Sequence, residues 1–268
     1  MKECAPLDAV TPEQRLERLR AILPRLTGGQ LLIIERIVAI FGLPKVFKRL
    51  SSDFLTEEML IEIGDALMVH HCFSSQPFTK DKFEYVLEAM FRAHQRMVEL
   101  PRRTFPGYDL IVDGVRLSLK TQADRSLKPS LIHISKFMEL GGGTWTDKQE
   151  DLVGLRGQFF DHMKNYDRIF TLRTLERPPP HYLYELVEIP KELLMKASNG
   201  RFEMRTESSQ FPKPGYCHVE EDGERLFQLY FDGGGERKLQ IKNILKSMCR
   251  VHATWQFDVQ ATGPEQTD

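Results

Sequence analysis

Residues 105–122, FPGYDLIVDGVRLSLKTQ, set an Asp113-Gly114 pair between two runs rich in Leu, Ile and Val. Asp-Gly is the pair that a two-residue hairpin turn demands, because both turn positions need a positive φ. Counting outward from that turn puts Val112 against Val115, Ile111 against Arg116, Leu110 against Leu117, Asp109 against Ser118 and Tyr108 against Leu119. Side chains alternate with period two and cross-strand partners share a face, so Leu110, Val112, Val115, Leu117 and Leu119 make one apolar face that should be buried. The other face carries Asp109, Ile111, Arg116, Ser118, Lys120 and Gln122. An acid, a hydroxyl and an amine therefore meet at the open end of a rigid, half-buried hairpin.

The flanking segments alternate between helical and strand-like patterns. Residues 79–96 form a helix whose stripe is Phe83, Val86, Leu87, Met90 and Phe91, with Glu84 at its border and Glu88 further toward solvent. Residues 123–129 are a polar loop bearing Arg125 and Lys128, a solvated connector or a phosphate contact. The spacing of Leu131, Ile134, Phe137 and Met138 predicts a short helix from about Ser130, stopped by Gly141-Gly142-Gly143, with Glu139 in its last turn. A helix over 152–166, strands over 168–175 and 182–189, a stiff Pro178-Pro179-Pro180 connector and a helix over 190–197 follow. That order argues for a mixed α/β core with helices on its flanks.

The hairpin also carries a resemblance. An Asp on one strand, a short turn and an acid-x-Lys triplet on the next resembles the PD-(D/E)xK nuclease core of many type II restriction endonucleases; here the residues are Pro106-Gly107-Tyr108-Asp109 and Ser118-Leu119-Lys120. The triplet's acid is replaced by Ser118, as in a serine-x-lysine subset of those enzymes that takes its missing carboxylate from the following helix. The resemblance spans residues 83 to about 190. It implies a Mg²⁺-dependent, sequence-specific endonuclease of a restriction system acting on double-stranded DNA. Asp109 and a second carboxylate, Glu139 in preference to Glu84, would hold the ion with the Leu119 carbonyl. Lys120 would act on the attacking water and on the phosphate charge, and Ser118 would hydrogen-bond a ligand. Palindromic reading implies a homodimer, or a tetramer. The alternatives are a repair or junction nuclease with the same core, and a non-enzymatic α/β DNA-binding protein.

The chain ends divide the sequence into three segments. Residues 1–78 read as a helical region, a scaffold or dimerisation surface: Thr11-Pro12 caps one helix, Gly28-Gly29 starts a second bearing Leu31, Ile34, Ile37, Val38 and Phe41, and a third runs over 56–67. His70-His71 point in different directions and read as a turn or core edge, not a metal pair. Residues 79–198 are the nuclease core. Residues 199–268 hold a second hairpin, 226–231 and 238–244 about Asp232-Gly233-Gly234-Gly235, and are a candidate DNA-recognition part. Arg237, Lys238 and Lys242 are its phosphate-contacting candidates, with Lys246, Arg250, His252 and Trp255 beyond.

Composition limits the remaining classes. At 268 residues and 41% hydrophobic content the chain can build a real core, and 37 basic against 38 acidic side chains leave no global field for nucleic acid. Only a locally positive cleft is needed, so DNA stays open. Cys4, Cys72, Cys217 and Cys249 lack CxxC spacing and read as free thiols. No apolar run reaches membrane-spanning length, and the expectation is a cytoplasmic protein.

Overall fold

The computed structural model describes residues 11–50, 52–101, 107–124, 127–141, 144–176 and 179–260. Cys4, Phe105, Pro106, Arg125, Gly142, Gly143, Pro178 and residues 262–268 lie outside them. In chain order the elements are α1 (Pro12–Ile22), α2 (Gly28–Phe41), β1 (Lys45–Arg49), α3 (Glu57–Phe73), α4 (Lys80–Ala93), β2 (Val98–Glu99), β3 (Leu110–Val112) and β4 (Val115–Gln122). There follow β5 (Leu131–Glu139), α5 (Asp151–Met163), β6 (Arg168–Glu176), β7 (His181–Glu188), α6 (Lys191–Met195), β8 (Arg201–Met204), β9 (Gly215–Glu221), β10 (Glu224–Asp232), β11 (Lys238–Leu245) and β12 (Arg250–Asp258). Short 3₁₀ turns follow α1, α6 and β11.

Two sheets make an α+β architecture. The first runs β1-β12-β7-β6-β4-β3-β2 and the second β5-β11-β10-β9-β8. The hairpin of β3 and β4 has the register counted from its turn, with Leu110 opposite Leu117, Ile111 opposite Arg116 and Val112 opposite Val115. Asp113 at φ 48° and Gly114 at φ 81° supply the two left-handed positions that the turn requires. After β4 the chain crosses through β5 and α5 and returns as β6, parallel to β4, with Lys120 opposite Thr171.

Each face of the first sheet is covered. On one face Leu110, Val112, Leu117 and Leu119 join Phe83, Leu87 and Phe91 of α4 and Leu60, Ile63 and Leu67 of α3 in a single core. Each such burial contributes roughly 1.5–3 kcal/mol. Gly64 lets α3 press onto β12, since a Cβ there would stand 2.5 Å from the Trp255 ring, and Trp255 Nε1–H donates to the Leu60 carbonyl at 2.8 Å. On the other face Ile169, Val187 and Ile189 pack with Leu155, Phe159 and Met163 of α5 and with Ile132, Ile134, Phe137 and Ile241 of the second sheet. The polar face of the hairpin is interior in part: Ser118 is fully buried, and its hydroxyl has no hydrogen-bond partner among the described residues, while Arg116 stays partly exposed.

Three expectations are corrected. Residues 131–139 form strand β5, not a helix. Their pairing with β11 breaks register between Leu239 and Ile241, which face Met138 and Ile134, and the extra residues on β5 carry the alternation Ile132, Ile134 out of phase to Phe137. That bulge imitates helical spacing. Arg250, His252 and Trp255 belong to a central strand of the first sheet, not to a basic ribbon at its edge. His70-His71-Cys72 lie in the last turn of α3, which extends to Phe73. The second hairpin forms as expected, Phe231 facing Leu239, but lies inside the second sheet. Strands from all three sequence segments interleave, since β1 pairs with β12 and β5 with β11.

Candidate active site

Asp109 sits just before β3, and its carboxylate turns across the hairpin onto β4. Its Oδ2 accepts the Leu119 N–H at 2.6 Å, and its Oδ1 accepts from Lys80 Nζ, also at 2.6 Å. Lys80 opens α4 and, four residues on, Glu84 turns to the same side, so that Lys80 Nζ lies 2.6 Å from Glu84 Oε1. One ammonium thus bridges two carboxylates from different elements. Burial alone lowers the Lys80 pKa, but the two acids outweigh it and raise it. Glu84 is pushed above the usual carboxylate range by burial, with Lys80 opposing.

Lys120, three positions along β4 from Leu117, extends toward the second sheet, with Nζ 5.7 Å from the Phe137 ring centre. Desolvation pulls its pKa down, with Asp109 acting the other way and Lys80 adding to the depression. Lys80, Lys120 and Thr121 on one side and Ile134 to Met138 on the other enclose a cleft of about 310 Å³. His162 of α5 faces the same charges; burial and the nearby Lys120 bring its pKa down to about 4. Tyr166, also buried, has a hydroxyl with no partner among the described residues, and burial followed by the Asp109 charge raises its pKa.

A second hollow, of about 320 Å³, is lined by Gln122, Asp124, Lys128, His133 and Asn243. Arg173 of β6 holds this wall. Fully buried, it pairs with Glu185 and donates to Gln122 Oε1 at 2.9 Å, the Lys128 carbonyl at 3.0 Å and the Leu131 carbonyl at 2.7 Å. The backbone of the loop between β4 and β5 is fixed in this way, while the Lys128 side chain stays exposed.

Of the residues singled out in the sequence, Asp109, Glu84, Lys120 and the Leu119 backbone converge. Glu139 ends strand β5, its side chain 74% exposed and paired with Lys136 at 2.9 Å, and it does not line the cleft. Arg237 is exposed in the turn between β10 and β11, Lys238 pairs with Glu236 at 3.0 Å, and Lys242 lies over the Tyr230 ring at 3.7 Å. Lys80, His162, Tyr166 and Arg173 were missed. For Lys80 the signal was its four-residue spacing from Glu84; the other three join the site only through the packing of α5 and β6.

A cleft lined by Lys80 and Lys120, beside Asp109 of the hairpin and Glu84 of α4, has the charges of a site suited to phosphate chemistry. The comparisons narrow it. Residues 19–257 match the model of the SmaI family, type II site-specific deoxyribonucleases. The chain is 41% identical over 219 residues to the type II restriction enzyme SmaI of Serratia marcescens, covering 81% of this chain and 87% of that enzyme. No solved structure matches. The chain belongs to the SmaI family: it is a sequence-specific DNA endonuclease of a restriction system. Among the described residues no helix is long and apolar enough to cross a membrane.

Proposed function

We propose that the protein hydrolyses duplex DNA with Mg²⁺ at a PD-(D/E)xK-like centre formed by Asp109, Glu84, the Leu119 carbonyl and Lys120. The observation that carries this reading is the single ammonium held at 2.6 Å by both Asp109 and Glu84, because two acids that share one cation are a donor set for another. Oxygen donors suit a hard divalent ion, and Mg²⁺ uses one or two carboxylates together with substrate phosphate. Among the described residues no group of three or more His, Cys, Asp or Glu could hold a metal, so phosphate and water oxygens would have to complete this set. When bound, the ion supplies charge against the phosphate and a lowered pKa for water.

The chain's own residues do the rest. Asp109 is oriented by the Leu119 N–H, which fixes one oxygen, while the other, held here by Lys80 Nζ, is the one that would turn to the ion. Lys120, half-buried against Phe137, orients the attacking water and offsets negative charge on the phosphate as it becomes pentavalent. Its depressed pKa makes it easier for the amine to take up a neutral, proton-accepting form. Ser118 points away from solvent, and its role is to hydrogen-bond a ligand or ligating group, not to ligate directly. Glu84 takes the place first assigned to Glu139, whose pairing with Lys136 holds it on the surface. Lys128, Arg237, Lys238 and Lys242 are the phosphate-contacting candidates, and a homodimer presents two such centres to the two strands.

Digestion of a mixed-sequence plasmid with Mg²⁺, Mn²⁺, Ca²⁺ or EDTA tests this. Discrete fragments in Mg²⁺ and none in EDTA are expected; a smear of random lengths, or cleavage in EDTA, overturns it.

A further inference from the structure

The N-terminal helices form a surface that the fold does not use. α1 is 11 residues long, none of them buried, and its main contacts are with the turn that follows it. Isolated helices shorter than about 12–15 residues are marginal in water, and its Thr11-Gln14 capping box cannot by itself hold it. α2 carries only Gln30, Glu35 and Arg36 as polar side chains. Ile40 is buried and Ile34 and Ile37 half-buried toward the core, yet Leu32, Val38 and Phe41 are exposed, as are Leu16, Leu19 and Ile22 of α1, each at least 48%. A helix with so few polar side chains is more apolar than one whose outer face stays in water. Leu31 and Ile33 of α2 and Val46 of β1 are exposed as well, and exposed apolar side chains in this number mark an interaction surface.

We propose that the α1–α2 face is where two copies of this chain join, with the two α1 helices antiparallel about a two-fold axis. The charges on α1 favour a second copy over any other occupant. At 100° per residue Glu13 and Arg20 fall on the same flank of the Leu16–Leu19 stripe. In an antiparallel pair equal flanks meet, so Glu13 of each copy faces Arg20 of the other, and the opposed helix dipoles agree with that pairing. The inference rests on the two-fold reading above and gives it a location.

Sedimentation of the full chain, without DNA or metal, tests it independently of cleavage. The wild-type chain should be a dimer at micromolar concentration. Leu19→Glu and Leu32→Glu should each raise the dimer Kd at least tenfold with unchanged circular dichroism. Glu13→Arg and Arg20→Glu should each weaken association several-fold, and the double variant should restore it. A monomeric wild type, or dimers unaffected by Leu19→Glu and Leu32→Glu, overturns the proposal. So does failure of the charge exchange, and so does a result in which these variants lose DNA affinity but not self-association. Because no DNA is present, a protein that dimerises as stated yet cuts no plasmid would sink the catalytic reading alone.

Discussion

Lys80 Nζ stands 2.6 Å from Asp109 Oδ1, bringing the first turn of α4 onto the hairpin at the carboxylate that the catalytic reading depends on. The same ammonium neutralises Glu84. With both acids facing one point, the metal-free protein relies on Lys80 for charge balance.

Replacing Lys80 by Ala therefore leaves two carboxylates opposed. The Lys80 side chain is 39% exposed, which screens the loss to about 1–2 kcal/mol. Thermal unfolding should show a lower Tm for the variant in EDTA, with most of the deficit recovered in millimolar Mg²⁺. An equal deficit in both conditions would place the ion elsewhere.

In the proposed centre the second carboxylate is Glu84, since Glu139 ends β5 on the surface. Glu84→Ala should lose metal-dependent cleavage about as severely as Asp109→Ala, whereas Glu139→Ala, which removes only a surface pair with Lys136, should cut within about twofold of wild type. Plasmid cleavage rates across Mg²⁺ concentrations decide it; the reverse order would return the role to Glu139.

Lys120→Ala should reduce cleavage by about 10²-fold or more, the range for removing a group that moves or stabilises charge at the reacting centre. Gel-shift affinity in Ca²⁺ should change little, because one amine beneath the phosphate contributes a small part of a salt-dependent interface. Near-normal cleavage would remove the hairpin from the active site.

His71, fully buried at the end of α3, has Nδ1 2.9 Å from the Ser74 carbonyl, Nε2 2.6 Å from the Tyr184 hydroxyl, and its ring stacked on Tyr182 at 3.6 Å. Burial, assisted by His70 and Lys82, takes its pKa down to about 4. The unfolded chain then binds more protons than the folded one between about pH 6.5 and 4. This stability is fully present above pH 6.5 and is lost as pH falls through that window, by on the order of 2–3 kcal/mol. Urea titrations at pH 7 and pH 5 should show the decline, and His71→Gln should flatten it while lowering stability at pH 7.

The amino-acid sequence by itself determined the hairpin and its register. Asp113-Gly114 admits few turns, and period-two alternation then assigns every side chain of β3 and β4 to a face, so Asp109 and Lys120 could be paired before any fold was known. The helices α1, α2, α4 and α5 were also legible, because their caps and stripes are local signals. Tertiary structure decided what depends on distant partners. A bulge made strand β5 look helical, since pairing with β11, a hundred residues away, and not local spacing, holds it extended. The residues of β12 looked like part of a DNA-facing ribbon or helix, yet pairing with β1 and β7 on either side makes it the seat of Trp255 in the core. Lys80 carried only its four-residue spacing from Glu84, and His162 and Arg173 carried no signal. They reach Asp109, Lys120 and the loop beyond β4 only because α4, α5 and β6 pack there, and that packing is set by the whole core.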